Sequence, residues 1–159
     1  MDSILPAARR LGECLRNRKA TIAVAESSVG GLMSAALLSQ PGASAYFLGG
    51  AVVYTAAARQ GLLGIGPAEM EGIRSASEPY ALLMARTVRQ RLGADWGLAE
   101  TGAAGPAGNR YGDPAGHACL AIAGPVERVI TLRTGSADRA GNMRAFALAL
   151  FALAEEAIG

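Results

Sequence analysis

A strand-like run that stops abruptly in a polar, glycine-closed turn constrains this chain more than any other feature. Thr21-Ile22-Ala23-Val24-Ala25 is short, apolar and rich in β-branched residues, as suits a strand buried on both faces. Glu26-Ser27-Ser28-Val29-Gly30-Gly31 follows at once, and then a helical pattern of Leu32, Ala35, Ala36 and Leu38. Strand, tight turn and helix form the repeating unit of α/β folds, and the unit recurs. Residues 46–54 read as a second strand, loosened by Gly49-Gly50, and 55–63 as a short helix with Thr55 as N-cap. Ser77-Glu78-Pro79 has the cap, acid and proline of a helix start, and Gly93 stops that helix after Leu92.

Residues 96–100 read as a third strand. Two more, 117–123 and 126–134, flank Gly124-Pro125 as a hairpin. Ile4, Ala8, Leu11 and Leu15 mark one face of an opening helix, and 138–158 form a closing one. Residues 64–74 carry no clear pattern. The order predicts an α/β fold: a three-layer α/β/α sandwich with helices on both faces of a mixed sheet, in a single domain over residues 1–159.

Composition narrows the function classes. About half of the 159 residues are apolar (51%), enough for a substantial core. The formal net charge of +2 is small and its charges are interspersed, which argues against a nucleic-acid partner. No apolar run reaches the length of a membrane span, and 145–158, the most apolar stretch, carries Glu155 and Glu156. Cys14 and Cys119 stand far apart with no metal-ligand spacing, as expected of buried free thiols in a reducing cytosol, so a cytoplasmic protein is expected. No metal cluster and no cofactor fingerprint is present: the turn after the first strand lacks the glycine run and lysine of a P-loop.

In open α/β sheets ligands bind beyond the carboxyl ends of strands. Three such segments are 26–31, 54–59 and 101–116. In the first, Gly30 and Gly31 would let a ligand approach backbone N–H groups at a helix start. Ser27 or Ser28 would cap the helix, hold a phosphate or act as a nucleophile, and Glu26 would orient the turn or act as a base. In the second, Tyr54 ends a strand, and Arg59 would clamp a phosphate or carboxylate or lie on the surface. In the third, Thr101 precedes a loop with Gly102, Gly105, Gly108, Gly112 and Gly116, long enough to be functional. Ser44 is a loop serine. His117, the sole histidine, reads as structural within a strand, and Asp113-Pro114 as a turn. Arg139 and Arg144, early in the last helix, would reach the site or remain on its solvated face.

Taken together, Ala25-Glu26-Ser27, Gly30-Gly31, Gly42-Ala43-Ser44, the segment 54–64, Ala76-Ser77-Glu78, Thr101-Gly102-Ala103-Ala104-Gly105-Pro106 with Gly108, and Pro114-Ala115-Gly116 resemble the CinA C-terminal domain family over almost the whole chain. The resemblance implies a three-layer α/β/α fold with a mixed sheet and the standalone form of the domain. It also implies a nicotinamide-nucleotide amidohydrolase, which converts nicotinamide mononucleotide to nicotinic acid mononucleotide and ammonia in NAD salvage. On the matching positions it makes Ser27 the nucleophile and puts Ser44, Tyr54, Thr101 and a late arginine, Arg139 or Arg144, at the site. It implies a pyridine mononucleotide as the partner, and a tendency to self-associate as a homo-oligomer.

Three positions depart from the family pattern. Ser28 and Val29 stand where the family has cysteine and threonine, and Arg59 stands where it has the lysine that serves as base. Arginine stays protonated and cannot take a proton from Ser27. Lys19, the sole lysine, falls before Thr21, at the wrong end of the strand to substitute. Tyr54 is a candidate relay but a poor base near neutral pH. The expected roles are therefore Ser27, Tyr54 and Arg59 in catalysis, and Glu26, Ser28, Gly30, Gly31, Ser44, Thr101, Gly102, Gly105, Arg139 and Arg144 in substrate binding. The alternatives are a nucleotide binder that has lost catalysis and an amidase for another anionic amide.

Overall fold

The computed structural model describes all 159 residues. The chain runs α1 (Leu5–Arg18), β1 (Ile22–Glu26), α2 (Leu32–Leu38), a 3-10 turn (Ala43–Ala45), β2 (Phe47–Val52), α3 (Ala56–Leu63), α4 (Glu78–Leu92), β3 (Trp96–Ala103), β4 (His117–Ala123), β5 (Arg128–Arg133) and α5 (Arg139–Ile158). The strands form one open sheet in the order β2-β1-β3-β4-β5. β1 pairs in parallel with β2 and β3, while β3–β4 and β4–β5 are antiparallel, so the sheet is mixed as expected.

Alternation along the central strands divides the core between two faces. Ile22, Val24, Leu98, Leu120 and Ile122 face α1, α2 and α5 in one apolar cluster. Ala23, Ala25, Ala99, Cys119 and Ala121 face α4 in the other, with Tyr80, Met84 and Val88 above them. Each fully buried large aliphatic chain contributes about 1.5–3 kcal/mol. The small residues on the α4 face bring that helix close to the sheet. At Gly97 a Cβ would collide with the carbonyl oxygen of Ala85 and stand 2.8 Å from Arg89 Cβ.

Local chemistry sets the ends of the elements that carry the site. Thr55 accepts from the Ala58 amide at 3.1 Å and caps α3. Ser77 caps α4 through the Tyr80 amide at 3.3 Å, and Gly93 closes that helix. Lys19 ends α1 at the opposite end of β1 from Ser27, where it has no access to the turn.

The third strand runs to Ala103 rather than stopping at Glu100. The reason is its antiparallel neighbour, which pairs Ala103 with His117, and Gly102 lets the two backbones approach closely. Residues 64–74 form turns without a helix. No helix is long and apolar enough to cross a membrane.

Candidate functional site

The parallel strands β1, β2 and β3 all end on the same edge of the sheet, so their C-terminal segments converge. They enclose a cavity of about 380 Å³ whose walls include Ser27, Tyr54, Arg59, Tyr80, Thr101 and Tyr111. A smaller one, about 160 Å³, is lined by Ser28, Tyr54, Gly105, Gly108, Asn109 and Arg139. The two share Tyr54, Gly102 and Asn109 as walls. Arg59 and Arg110 line the larger pocket and Arg139 the smaller, while no carboxylate side chain lines either. The side-chain charge lining the cleft is therefore positive.

The turn after β1 rests on two buried carboxylates. Glu26 accepts the amides of Gly31, Met33 and Ser34 at 3.1, 2.9 and 3.0 Å, and the Ser34 hydroxyl at 2.6 Å. It therefore satisfies the N-terminal donors of α2 from inside the protein. Gly30 donates to the Ser27 carbonyl at 3.2 Å. Glu26 thus orients the turn from beneath, one of its two expected roles, while the expected substrate contacts are not where the pockets lie: none of Glu26, Gly30 and Gly31 lines either pocket. The glycines serve the backbone instead, with successive φ values of +72° and +100°.

The second carboxylate, Glu100, was not anticipated as a site residue. It is fully buried within β3 and accepts the amides of Ser27 at 3.0 Å and Val29 at 2.9 Å, together with the Ser28 hydroxyl. Burial pushes its carboxyl above the usual range; the Ser28 hydroxyl and the two amides pull it down, and the charge of Glu26 pushes it up. A sequence signal was available. In both β1 and β3 an apolar run is followed by alanine, glutamate and a hydroxyl residue: Ala25-Glu26-Ser27 and Ala99-Glu100-Thr101.

Arg59 donates to the Ser75 hydroxyl at 2.9 Å and lies 5.2 Å from the centre of the Tyr80 ring, which holds it in the pocket wall. Burial raises the Tyr80 phenol above its usual range, with Arg59 opposing. Thr101 is buried, and its hydroxyl accepts from the Ala76 amide at 3.1 Å. That bond fixes Ala76 in a left-handed conformation (φ +55°) unusual for alanine. The Ala76 carbonyl is bonded to His117 Nε2 at 2.9 Å, so His117 supports the wall from behind.

Of the two late arginines, Arg139 reaches the site. It donates to the Gly105 carbonyl at 2.6 Å and to the Tyr54 hydroxyl at 3.2 Å. Arg144 is exposed and lines neither pocket. Five residues along a helix turn a side chain well away from the first one's direction. Ser44 is also displaced: it is exposed in the 3-10 turn before β2, whereas Tyr54 follows β2. A strand of that length separates its ends by about 20 Å. Asp113 is buried against Arg74 at 2.8 Å and pins the 109–113 turn through Asn109. Cys14 and Cys119 are free thiols, the first partly and the second fully buried.

An open mixed sheet with a serine turn, a glycine loop and arginines gathered where its parallel strands end places the chain among open-sheet α/β domains. Comparison with known proteins is specific. The model of the CinA C-terminal domain matches residues 5–158, and the chain belongs to that family. It is 45% identical over 113 residues to a CinA-like protein of Prochlorococcus marinus, covering 71% of this chain and 26% of the relative. It is 41% identical over 132 residues to a CinA-like protein of Synechocystis, covering 83% and 32%. The chain thus spans about a quarter to a third of these curated relatives. Among solved structures, the competence/damage inducible protein CihA from Agrobacterium tumefaciens superposes with a TM-score of 0.88 at 29% identity, covering 98% of this chain and 94% of the other.

Proposed function

We propose that this protein is an amide hydrolase that converts nicotinamide mononucleotide to nicotinic acid mononucleotide and ammonia. The observation that carries the reading is the convergence of the Ser27–Ser28 turn, Tyr54, Thr101, Arg59 and Arg139 on one cleft without carboxylate walls. In this reading a serine of the turn attacks the carboxamide carbon and the arginines hold the phosphate. Tyr54, fixed by Arg139, orients the ligand between the two pockets. Water completes the hydrolysis, and the reaction serves pyridine-nucleotide salvage in the cytoplasm. The family's tendency to self-associate makes a homo-oligomer the expected form.

The test is ammonia release from nicotinamide mononucleotide by the purified protein, with the double variant Ser27→Ala/Ser28→Ala as control. Turnover in the wild type and none in the double variant supports the reading. Equal turnover in both rejects a serine mechanism. A second reading, nucleotide binding without turnover, is favoured by Arg59, whose guanidinium cannot accept a proton. Calorimetric binding of the nucleotide with no ammonia released would select it. Turnover of an unphosphorylated amide, with the nucleotide inert, would instead select an amidase for another substrate.

A further inference from the structure

Arg59 leaves the site without the base expected of it, and the Ser27 hydroxyl has no partner in the chain that could accept its proton. The neighbouring serine differs. Its hydroxyl donates directly to Oε1 of Glu100, so its proton already points at an acceptor while its lone pairs remain free. We propose that Ser28 is the nucleophile of this site and Glu100 its general base. This rests on reading the site as an amide hydrolase, but not on the identity of the amide.

Three further features support the pair. Ser28 lines the smaller pocket, so the dyad adjoins a space that a ligand can enter. Glu100 lies wholly out of water, where a carboxylate is a stronger proton acceptor than at the surface. The amides of Ala104, Gly105, Ala107 and Gly108 donate to nothing in the chain, and all four residues line the same pocket. They are the donors available to an oxyanion, whereas the amides of Gly30 and Gly31 are already taken by Ser27 and Glu26.

The chemistry balances without a co-reactant other than water. Ser28 Oγ bonds to the carboxamide carbon as its proton passes to Glu100, and the carbonyl electron pair moves onto oxygen. When the oxyanion collapses, the C–N bond breaks. Glu100 returns the proton to the leaving nitrogen, and ammonia departs from an ester on Ser28. Water attacks that ester and gives its proton to Glu100. Ser28 leaves with that proton, the carboxylic acid is released, and Glu100 is again ionised.

The test uses methanesulfonyl fluoride, a serine-directed reagent small enough for the pocket, with the modified residue located by peptide fragmentation. The expected result is a methanesulfonyl group on Ser28 in the wild type. Glu100→Gln slows its appearance by roughly 10²–10⁴-fold, the usual worth of a general base. Ser28→Ala abolishes labelling of the turn. Modification of Ser27 instead, no modification of either serine, or Ser28 labelling at an unchanged rate in folded Glu100→Gln would each overturn the proposal. Localisation in the wild type decides between the serines even if Glu100→Gln fails to fold. Glu100-dependent labelling of Ser28 without ammonia release rejects the nucleotide substrate and keeps the dyad. Ammonia release without labelling at Ser28 does the reverse.

Discussion

The Ser28 hydroxyl donates to the carboxylate of Glu100, 72 residues further along the chain, and the other oxygen of that carboxylate takes the amides on either side of Ser28. One side chain from β3 thus holds the turn that follows β1. Glu26 holds the other half of the same turn through α2. The position of the serines relative to the glycine loop is set by these two buried acids.

Loss of either acid should therefore cost stability. Glu26→Ala removes the acceptor of three amides and a hydroxyl in a buried place, and is expected to destabilise by about 3 kcal/mol or more. Urea unfolding should show a lower midpoint with an unchanged slope.

The two late arginines should separate cleanly. Arg139→Ala removes a guanidinium that lines the cleft and steadies Tyr54, and is expected to weaken nucleotide binding roughly 10–100-fold, as for a charge-assisted contact. Arg144→Ala, at an exposed position outside both pockets, should bind as the wild type does. Titration calorimetry with nicotinamide mononucleotide would check both.

Acid should loosen the loop behind the pocket. Burial alone would raise the Asp113 carboxyl, but the Arg74 bond, Asn109 and the nearby charges of His117 and Arg74 outweigh it and the net shift is down. A carboxylate lowered by folding contributes stability that is present above its unfolded value, about 4, and lost as pH falls through the folded one. The melting temperature of the wild type should drop in that acid window. Asp113→Ala should be less stable at neutral pH and should lose part of the acid dependence, as thermal melts from pH 7 to pH 2 would show.

Gly97→Ala should be costly although the change is one methyl group. The added carbon meets the Ala85 carbonyl, and α4 cannot withdraw without unpacking Met84 and Val88. Destabilisation of about 1–3 kcal/mol is expected, read as a shift in the denaturant midpoint.

Much of this arrangement is legible in the chain alone. The caps at Thr55 and Ser77, the stop at Gly93 and the hairpin around Gly124-Pro125 are local signals. Tyr54 follows β2, Arg59 lies one turn into α3 and Thr101 lies in the last part of β3, and the fold brings them together. Ser44 and Arg144 have the same residue-level appeal and fall elsewhere, because strand direction and helix phase decide which way a side chain faces. Glu100 was hidden by its position at the end of an apolar run, where a charge reads as the end of the strand.

Sequence by itself determined the elements, the mixed character of the sheet and the two polar turns with their serines and glycines, because capping, periodicity and turn chemistry act within a few residues. Only the tertiary structure decided which carboxylate meets which serine. It paired β3 in parallel beside β1, which brings Glu100 beneath Ser28, and it placed Glu26 under α2. Those contacts depend on strand order and burial, and a charge becomes a proton acceptor for one hydroxyl only when folding removes water and leaves that hydroxyl within reach.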